Sequence, residues 1–364
     1  MRVQGHDIPP AHEANGLPLH GLNAVRLGLV LVIGMGYAST MGAGPGAPEW
    51  AHHLGYDPSW FGVQALFFLS GYLGWRSLSL GRRGGTYLRS RLRRTLPVLV
   101  LYTLTVTTVA YPLLCQPGRL DADGIAQLAL YTLKTISLVS PGGLMPGALD
   151  SQPYACLLQG TVWTLRWGAA LHLATVLGHR VGVRRGRGLL LATTAALLAY
   201  AVCAMLWVEG GMDAVAPVAP GLRLAYPWAL GACAYAYRER LPRRASTWML
   251  AAMLCFGLAG LHEDAGWSPL IEVLGTGAWI SLTLAALLAA PAAVSRTPAL
   301  ALPVYLGVWP ITQVLLYTLP GLSTSALVVM SLSLTVAAAY CVLAALSGVF
   351  SPPAASHAKS PRTA

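Results

Sequence analysis

A chain of 364 residues that carries only 24 basic and 13 acidic side chains is 10% charged, against about 25% in a typical soluble domain. Hydrophobic residues make up 55% and mean hydropathy is +0.58, which excludes a water-soluble globule of this size and points to a protein whose outside faces lipid. The formal charge of +11 raises a nucleic-acid partner, but the basic residues collect on one side of the apolar runs, and a membrane topology accounts for them without nucleic acid.

Ten stretches are apolar over the roughly 17 to 25 residues needed to cross a hydrocarbon core of about 30 Å. They lie at 22–42, 60–80, 96–115, 160–178, 188–208, 221–237, 246–261, 269–290, 299–319 and 325–347, the seventh being short. The pattern predicts an all-α polytopic membrane bundle of about ten transmembrane helices over 22–347. A polar cytoplasmic segment, 1–21, precedes it, and a tail, 348–364, rich in prolines and small residues, reads as disordered.

With segment 1–21 in the cytoplasm, the even-numbered loops collect the arginines. Arg76, Arg82, Arg83, Arg89, Arg91, Arg93 and Arg94 follow the second stretch, and Arg180, Arg184, Arg185 and Arg187 follow the fourth. Arg238, Arg240, Arg243 and Arg244 follow the sixth, Arg296 follows the eighth, and Lys359 and Arg362 lie in the tail. The acids Glu49, Asp57, Asp121, Asp123, Asp150, Glu209, Asp213, Glu263 and Asp264 all fall in the other loops. This asymmetry predicts a multi-pass protein of the plasma membrane with both termini in the cytoplasm.

The apolar piece 126–140 is only about 15 residues long and contains Lys134, so it reads as a re-entrant or interfacial segment; as a true crossing it would send the later arginine loops outside. A cleaved secretory signal competes for 1–45, but the long polar leader holds Asp7 and Glu13, which favours an uncleaved first helix. The six cysteines show no metal-binding spacing; Cys115 and Cys156, both external, leave a disulfide open in an oxidising compartment.

The densest chemical signal is the loop GRRGGTYLRSRLRRTLP. Arg91-x-x-Arg94-x-x-Pro97 runs straight into the third stretch, with two guanidinium groups three residues apart at the membrane surface. Two readings stay open: a topogenic loop neutralised by lipid phosphates, and an anion clamp whose rigid forks match phosphate oxygens. Gly62, Ser70, Gly71 and Gly74 within the second stretch permit close helix approach. Arg26, four residues into the first stretch, either snorkels to the headgroups or faces a polar cavity.

Taken together, these residues resemble the acyltransferase-3 family of membrane O-acyltransferases. The resemblance rests on Leu22-Asn23-Ala24-Val25-Arg26-Leu27, on Gly62 to Tyr72 with its Ser70-Gly71 pair, on Arg91, Arg94 and Pro97, on Trp163-Thr164-Leu165, and on Tyr305-Leu306-Gly307-Val308-Trp309-Pro310. It implies about ten helices and an acyl donor, usually acyl-CoA, as a co-substrate approached from the cytoplasm; no permanently bound cofactor is implied. The acyl group would pass to a hydroxyl of a glycan or other small-molecule acceptor. Under this resemblance Arg26, Arg91 and Arg94 become candidates for holding the donor's phosphates.

Three positions depart from the family pattern. Met35 stands where the first span normally has a histidine, Gly168 where a glutamate follows W-T-L, and Val308 where a histidine often precedes W-P. Acyl transfer to an alcohol needs a group to take the hydroxyl proton, commonly worth 10² to 10⁴ in rate. The remaining intramembrane candidates are His172 and Glu272. His172 lies four residues past Gly168, on the same helix face, and is the candidate base; a hydrogen-bonded packing role is its alternative. Glu272 is either a proton acceptor or the partner of Arg223 or Arg166, and His52 and His53 read as a solvated loop. The leading reading is therefore an O-acyltransferase, and the second a catalytically degenerate relative acting as a membrane partner or small-molecule binding protein. A secondary transporter is weaker, because no matched pair of interrupted helices occurs in two halves.

Overall fold

The computed structural model describes residues 17–44, 47–49, 57–115, 121–145, 147–150, 152–181, 186–208, 211, 213–261 and 269–347. The expectations for most of segment 1–21, for tail 348–364 and for His52 and His53 lie outside these residues. Among the described residues the chain is all-helical, its one β contact being a single bridge between Cys115 and Ala148.

Every stretch read as apolar is a helix. In chain order they are α1 (Leu22–Ala43), α2 (Pro58–Ser79), α3 (Gly84–Thr105), α4 (Tyr111–Leu114), α5 (Ala122–Ile136), α6 (Trp163–Arg180), α7 (Gly186–Val208), α8 (Ala219–Ala236), α9 (Ala245–Gly260), α10 (Pro269–Ala289), α11 (Ala301–Thr318) and α12 (Thr324–Ala345). A π-helical turn, Val106–Ala110, joins α3 to α4, so the two run on as one rod. That rod begins twelve residues before the expected limit, because the arginine-rich stretch from Gly84 is helical.

Among the described residues six helices are long and apolar enough to cross a membrane: α1, the α3–α4 rod, α7, α10, α11 and α12. They mark the chain as a helical, multi-pass membrane protein. Helix α9 is shorter, and α2, α6 and α8 are more polar because they carry groups such as Gln64, His172 and Arg223. Apolar side chains point outward on the peripheral helices, among them Leu191, Leu198, Leu250, Leu254 and Val329, as a lipid-facing surface requires.

Helix α2 is the central post, packed against α1, α8 and α10. Its glycines set the spacing. A Cβ on Gly71 would collide with the carbonyl oxygen of Trp228, one on Gly231 with that of Phe68, and one on Gly62 would sit 2.9 Å from Ile33 Cγ1. Helices α2 and α8 thus touch backbone to backbone, the small-residue packing that substitutes for hydrophobic driving force in lipid.

The helix ends sort by charge. His20 Nε2 donates to Ala290 O at 2.7 Å and Asn23 Nδ2 to Thr297 O at 3.0 Å, joining the start of α1 to the end of α10. Trp75 meets His179 with ring centroids 5.6 Å apart, and Gly186 abuts Tyr237, so the ends of α2, α6 and α8 share that face. This is the arginine-rich face. On the opposite face Gly42 meets Thr324, Phe61 packs with Ala259 and Ile271, and Gln313 Nε2 donates to Tyr154 O at 3.2 Å.

Helix α5 hangs from that opposite face. Cys115 bridges Ala148, and Leu149 N–H donates to Leu114 O at 3.1 Å, so the segment holding α5 starts and finishes at the same level. Asp121 caps α5 by accepting from Gly124 N–H at 2.8 Å. Cys115 and Cys156 are free thiols.

Candidate functional site

A cavity of about 460 Å³ opens between α1, α2, α3, α6, α8 and α11, within the 300 to 1,000 Å³ common for small-molecule sites. Each major wall is one face of a helix. Helix α2 supplies Val63, Leu66, Phe67 and Ser70, and α3 supplies Leu88, Arg91, Leu92 and Thr95, both with the i, i+3, i+4, i+7 spacing of a single stripe. Helix α6 adds Thr164, Leu165, Gly168, Ala169, His172 and Leu173; Arg26 and Val30 come from α1, Trp228 from α8, and Ala301, Leu302 and Tyr305 from α11. Leu138, just after α5, closes the remaining side.

Helix direction orders these residues along the bundle axis. Arg26, Ser70, Leu88, Arg91 and His172 sit toward the arginine-rich face, whereas Val63, Thr95, Thr164 and Tyr305 lie deeper. From Leu173 to Thr164 the wall drops about 13 Å at 1.5 Å per residue. The cavity therefore has a cationic mouth and an apolar shaft. Arg26, Arg91 and His172 line this end together, so two guanidinium groups and an imidazole face one another across the mouth. Among the described residues lining the cavity there is no carboxylate to offset them. Like charges gathered without a counter-charge favour an anionic ligand.

His172 is held on two sides. Its Nδ1 lies 2.5 Å from Tyr87 Oη, and its ring stands edge-on to Trp228 with centroids 4.6 Å apart. Trp228 is itself fixed by Nε1–H donating to Thr175 Oγ1 at 2.9 Å. Tyr87 further carries the Arg91 guanidinium 5.3 Å above its ring. Nε2 is the imidazole nitrogen that Tyr87 does not engage. When Nδ1 donates its proton to Tyr87 Oη, Nε2 holds a lone pair and can accept a proton.

At the deep end, Thr164 Oγ1 and Tyr305 Oη hydrogen-bond at 3.0 Å. Behind Tyr305, Trp309 donates from Nε1 to Leu157 O at 3.0 Å and meets Tyr37 edge-on at 5.5 Å, sealing the floor.

Of the residues singled out in the sequence, the structure brings Arg26, Ser70, Arg91, Thr164, Gly168, His172 and Tyr305 to this cavity. Arg94 is exposed and stands outside its lining, on the flank of α3 about 60° beyond Arg91. Gly62 and Gly71 serve helix packing, Pro97 sits inside α3, and Trp163 packs against the main core. Met35 and Val308 do not line the cavity; Val308 is fully buried against Gly34. The three positions where the family pattern lapses therefore do not share one cavity.

Glu272 belongs to a separate buried network in the opposite half. It accepts from Gln64 Nε2 at 2.6 Å and from the Tyr200 hydroxyl, and Arg223 Nε lies 3.8 Å away. Its partner is thus Arg223; Arg166 is exposed and lies over the Trp167 ring. Tyr226 and Thr276 complete the cluster.

Tyr87 and Trp228 are the residues of this site that the sequence did not single out. A signal for Tyr87 existed, since it precedes Arg91 by four residues and so shares its helix face. Comparisons with family models, with curated proteins and with solved structures returned no match. The fold and site define a class, a multi-pass helical membrane protein with a cation-rimmed, apolar intramembrane cavity.

Proposed function

We propose that this chain is a membrane O-acyltransferase of the acyltransferase-3 type, moving an acyl group from a CoA-like donor to a hydroxyl of a glycan or other small-molecule acceptor. The observation that carries the proposal is convergence: Arg26, Ser70, Arg91, Thr164 and Tyr305, drawn from five separate stretches of the resemblance, line one cavity. In this reading the arginine-rich face is cytoplasmic. Ten helices cross the plasma membrane, α2, α6, α8 and α9 among them, and both termini lie inside.

The donor's phosphates meet Arg26 and Arg91 at the mouth, where charge-assisted forks suit phosphate oxygens. Because Arg91 and His172 both contact Tyr87, the pantetheine arm folds at the mouth to bring the thioester to His172. The acceptor hydroxyl attacks the thioester carbonyl while Nε2 of His172 takes the hydroxyl proton; collapse of the tetrahedral adduct expels the CoA thiolate, and the proton on His172 passes to that sulfur. Tyr87 holds the ring at Nδ1, and the tautomer in which Nδ1 donates to the Tyr87 oxygen leaves Nε2 unprotonated at the start. Arg94, on the outer flank of α3, contacts lipid headgroups.

A non-catalytic binding protein is the alternative, favoured by the lack of a carboxylate among the described lining residues. Mass spectrometry of glycans and lipids from cells expressing the wild type or His172→Ala at equal protein level separates the two. An acyl mass present with the wild type and lost with the variant supports the enzyme. Identical profiles in both, matching cells without the gene, refute it.

A further inference from the structure

The cavity, at about 460 Å³, is much larger than a small acyl group requires, and Gly168 leaves part of that space open. Gly168 lines the shaft one turn below His172, and a Cβ built on it would meet nothing within 4 Å. This differs from Gly62 and Gly71, whose missing side chains are needed for a neighbouring helix. Gly28, Gly178 and Gly257 are helical glycines with equally open surroundings, and what sets Gly168 apart is that its open side is the cavity. Around it the shaft is apolar, walled by Val63, Phe67, Leu92 and Leu165, and it continues to the Thr164–Tyr305 pair. A cationic mouth above about 12 Å of largely apolar wall, from His172 down to Thr164, suits an anion that carries an apolar chain and not a small polar metabolite.

We propose that the cavity takes a fatty-acyl thioester, with the acyl chain running from His172 along Gly168 toward Tyr305, and that Gly168 determines the chain length accepted. The inference rests on the acyltransferase reading for the identity of the head group, and adds the substrate class. An acetyl donor would fill only the top of the shaft. Each methylene transferred from water into apolar surroundings tightens binding about fourfold, until the shaft is full. A side chain at position 168 projects into the same space and shortens it.

The test uses the full-length protein in lipid nanodiscs. Affinities for CoA and for acyl-CoA thioesters from acetyl to palmitoyl are measured for the wild type, Gly168→Ala and Gly168→Leu, with thermal unfolding as a control on folding. The expected result is wild-type affinity rising by at least tenfold between acetyl and medium chains, with the optimum moved to shorter chains in Gly168→Leu, less so in Gly168→Ala. CoA affinity should stay within twofold, and the unfolding temperature should hold or rise. Wild-type affinity independent of chain length, with CoA itself bound, overturns this inference and spares the acyltransferase reading. An unchanged chain preference in both folded variants likewise removes the role of Gly168. Failure of the wild type to bind CoA or any thioester overturns the inference together with the reading beneath it.

Discussion

The buried Arg223–Glu272 pair offers the sharpest energetic test of the fold. Glu272 is fully buried, and Arg223 is 6% exposed with its guanidinium lying against the Trp60 ring. At the 3.8 Å separation of Nε and Oε1, attraction between unit charges is about 4 kcal/mol at an effective dielectric of 20. Neutralising one partner leaves the other charge stranded, which costs about 3 to 5 kcal/mol. Glu272→Gln should therefore lower stability by that amount, although the amide can still accept from Gln64 or Tyr200. Combining it with Arg223→Met removes the stranded cation, and the double variant should recover at least half of the loss. Thermal unfolding of the purified protein in nanodiscs, followed by tryptophan fluorescence, reads all three variants. A loss under about 1 kcal/mol for Glu272→Gln, the range of exposed pairs, would refute the buried-pair account. Strict additivity in the double variant would do the same.

Arg91→Ala should weaken CoA binding at least tenfold in a direct titration, whereas Arg94→Ala should change it less than twofold, because only Arg91 lines the cavity; equal effects would contradict the assigned faces of α3. Gly71→Ala should destabilise the bundle by about 1 to 3 kcal/mol, since its methyl group collides with the Trp228 carbonyl, while Gly168→Ala at an open position should not. Paired unfolding curves check this, and a neutral Gly71→Ala would mean that α2 and α8 are not in backbone contact.

Legibility followed the physics of each feature. The apolar runs became helices within a few residues of their expected limits because helix length in lipid is set by hydrocarbon thickness, a one-dimensional constraint. Helix α3 ran further into the arginine loop than hydropathy indicated: a helix there needs only one inward stripe, Leu88, Arg91, Leu92 and Thr95, and the remaining arginines can face the headgroups. The cavity residues Arg26 and His172 stood out as ionisable side chains in apolar runs. Which of Arg91 and Arg94 turns inward, and which cation pairs with Glu272, depends on helix rotation, and that is fixed by contacts far apart in sequence. Gly34 packing on Val308 is such a contact: it buries Val308 between α1 and α11 and keeps it off the cavity wall. Position along the chain placed Met35, Gly168 and Val308 at the lapsed family sites, but only the packed bundle separates Gly168, which faces the shaft, from the other two.

The central claim is that this cavity performs acyl transfer with His172 as the base. Its most direct test is release of free CoA thiol from a medium-chain acyl-CoA by the purified protein in nanodiscs, with water or a hydroxyl compound as acceptor, alongside donor binding. The account predicts thiol release by the wild type, loss of release with retained binding in His172→Ala, and loss of binding in Arg91→Ala. A wild type that neither binds the donor nor releases thiol, or a His172→Ala variant as active as the wild type, would contradict it.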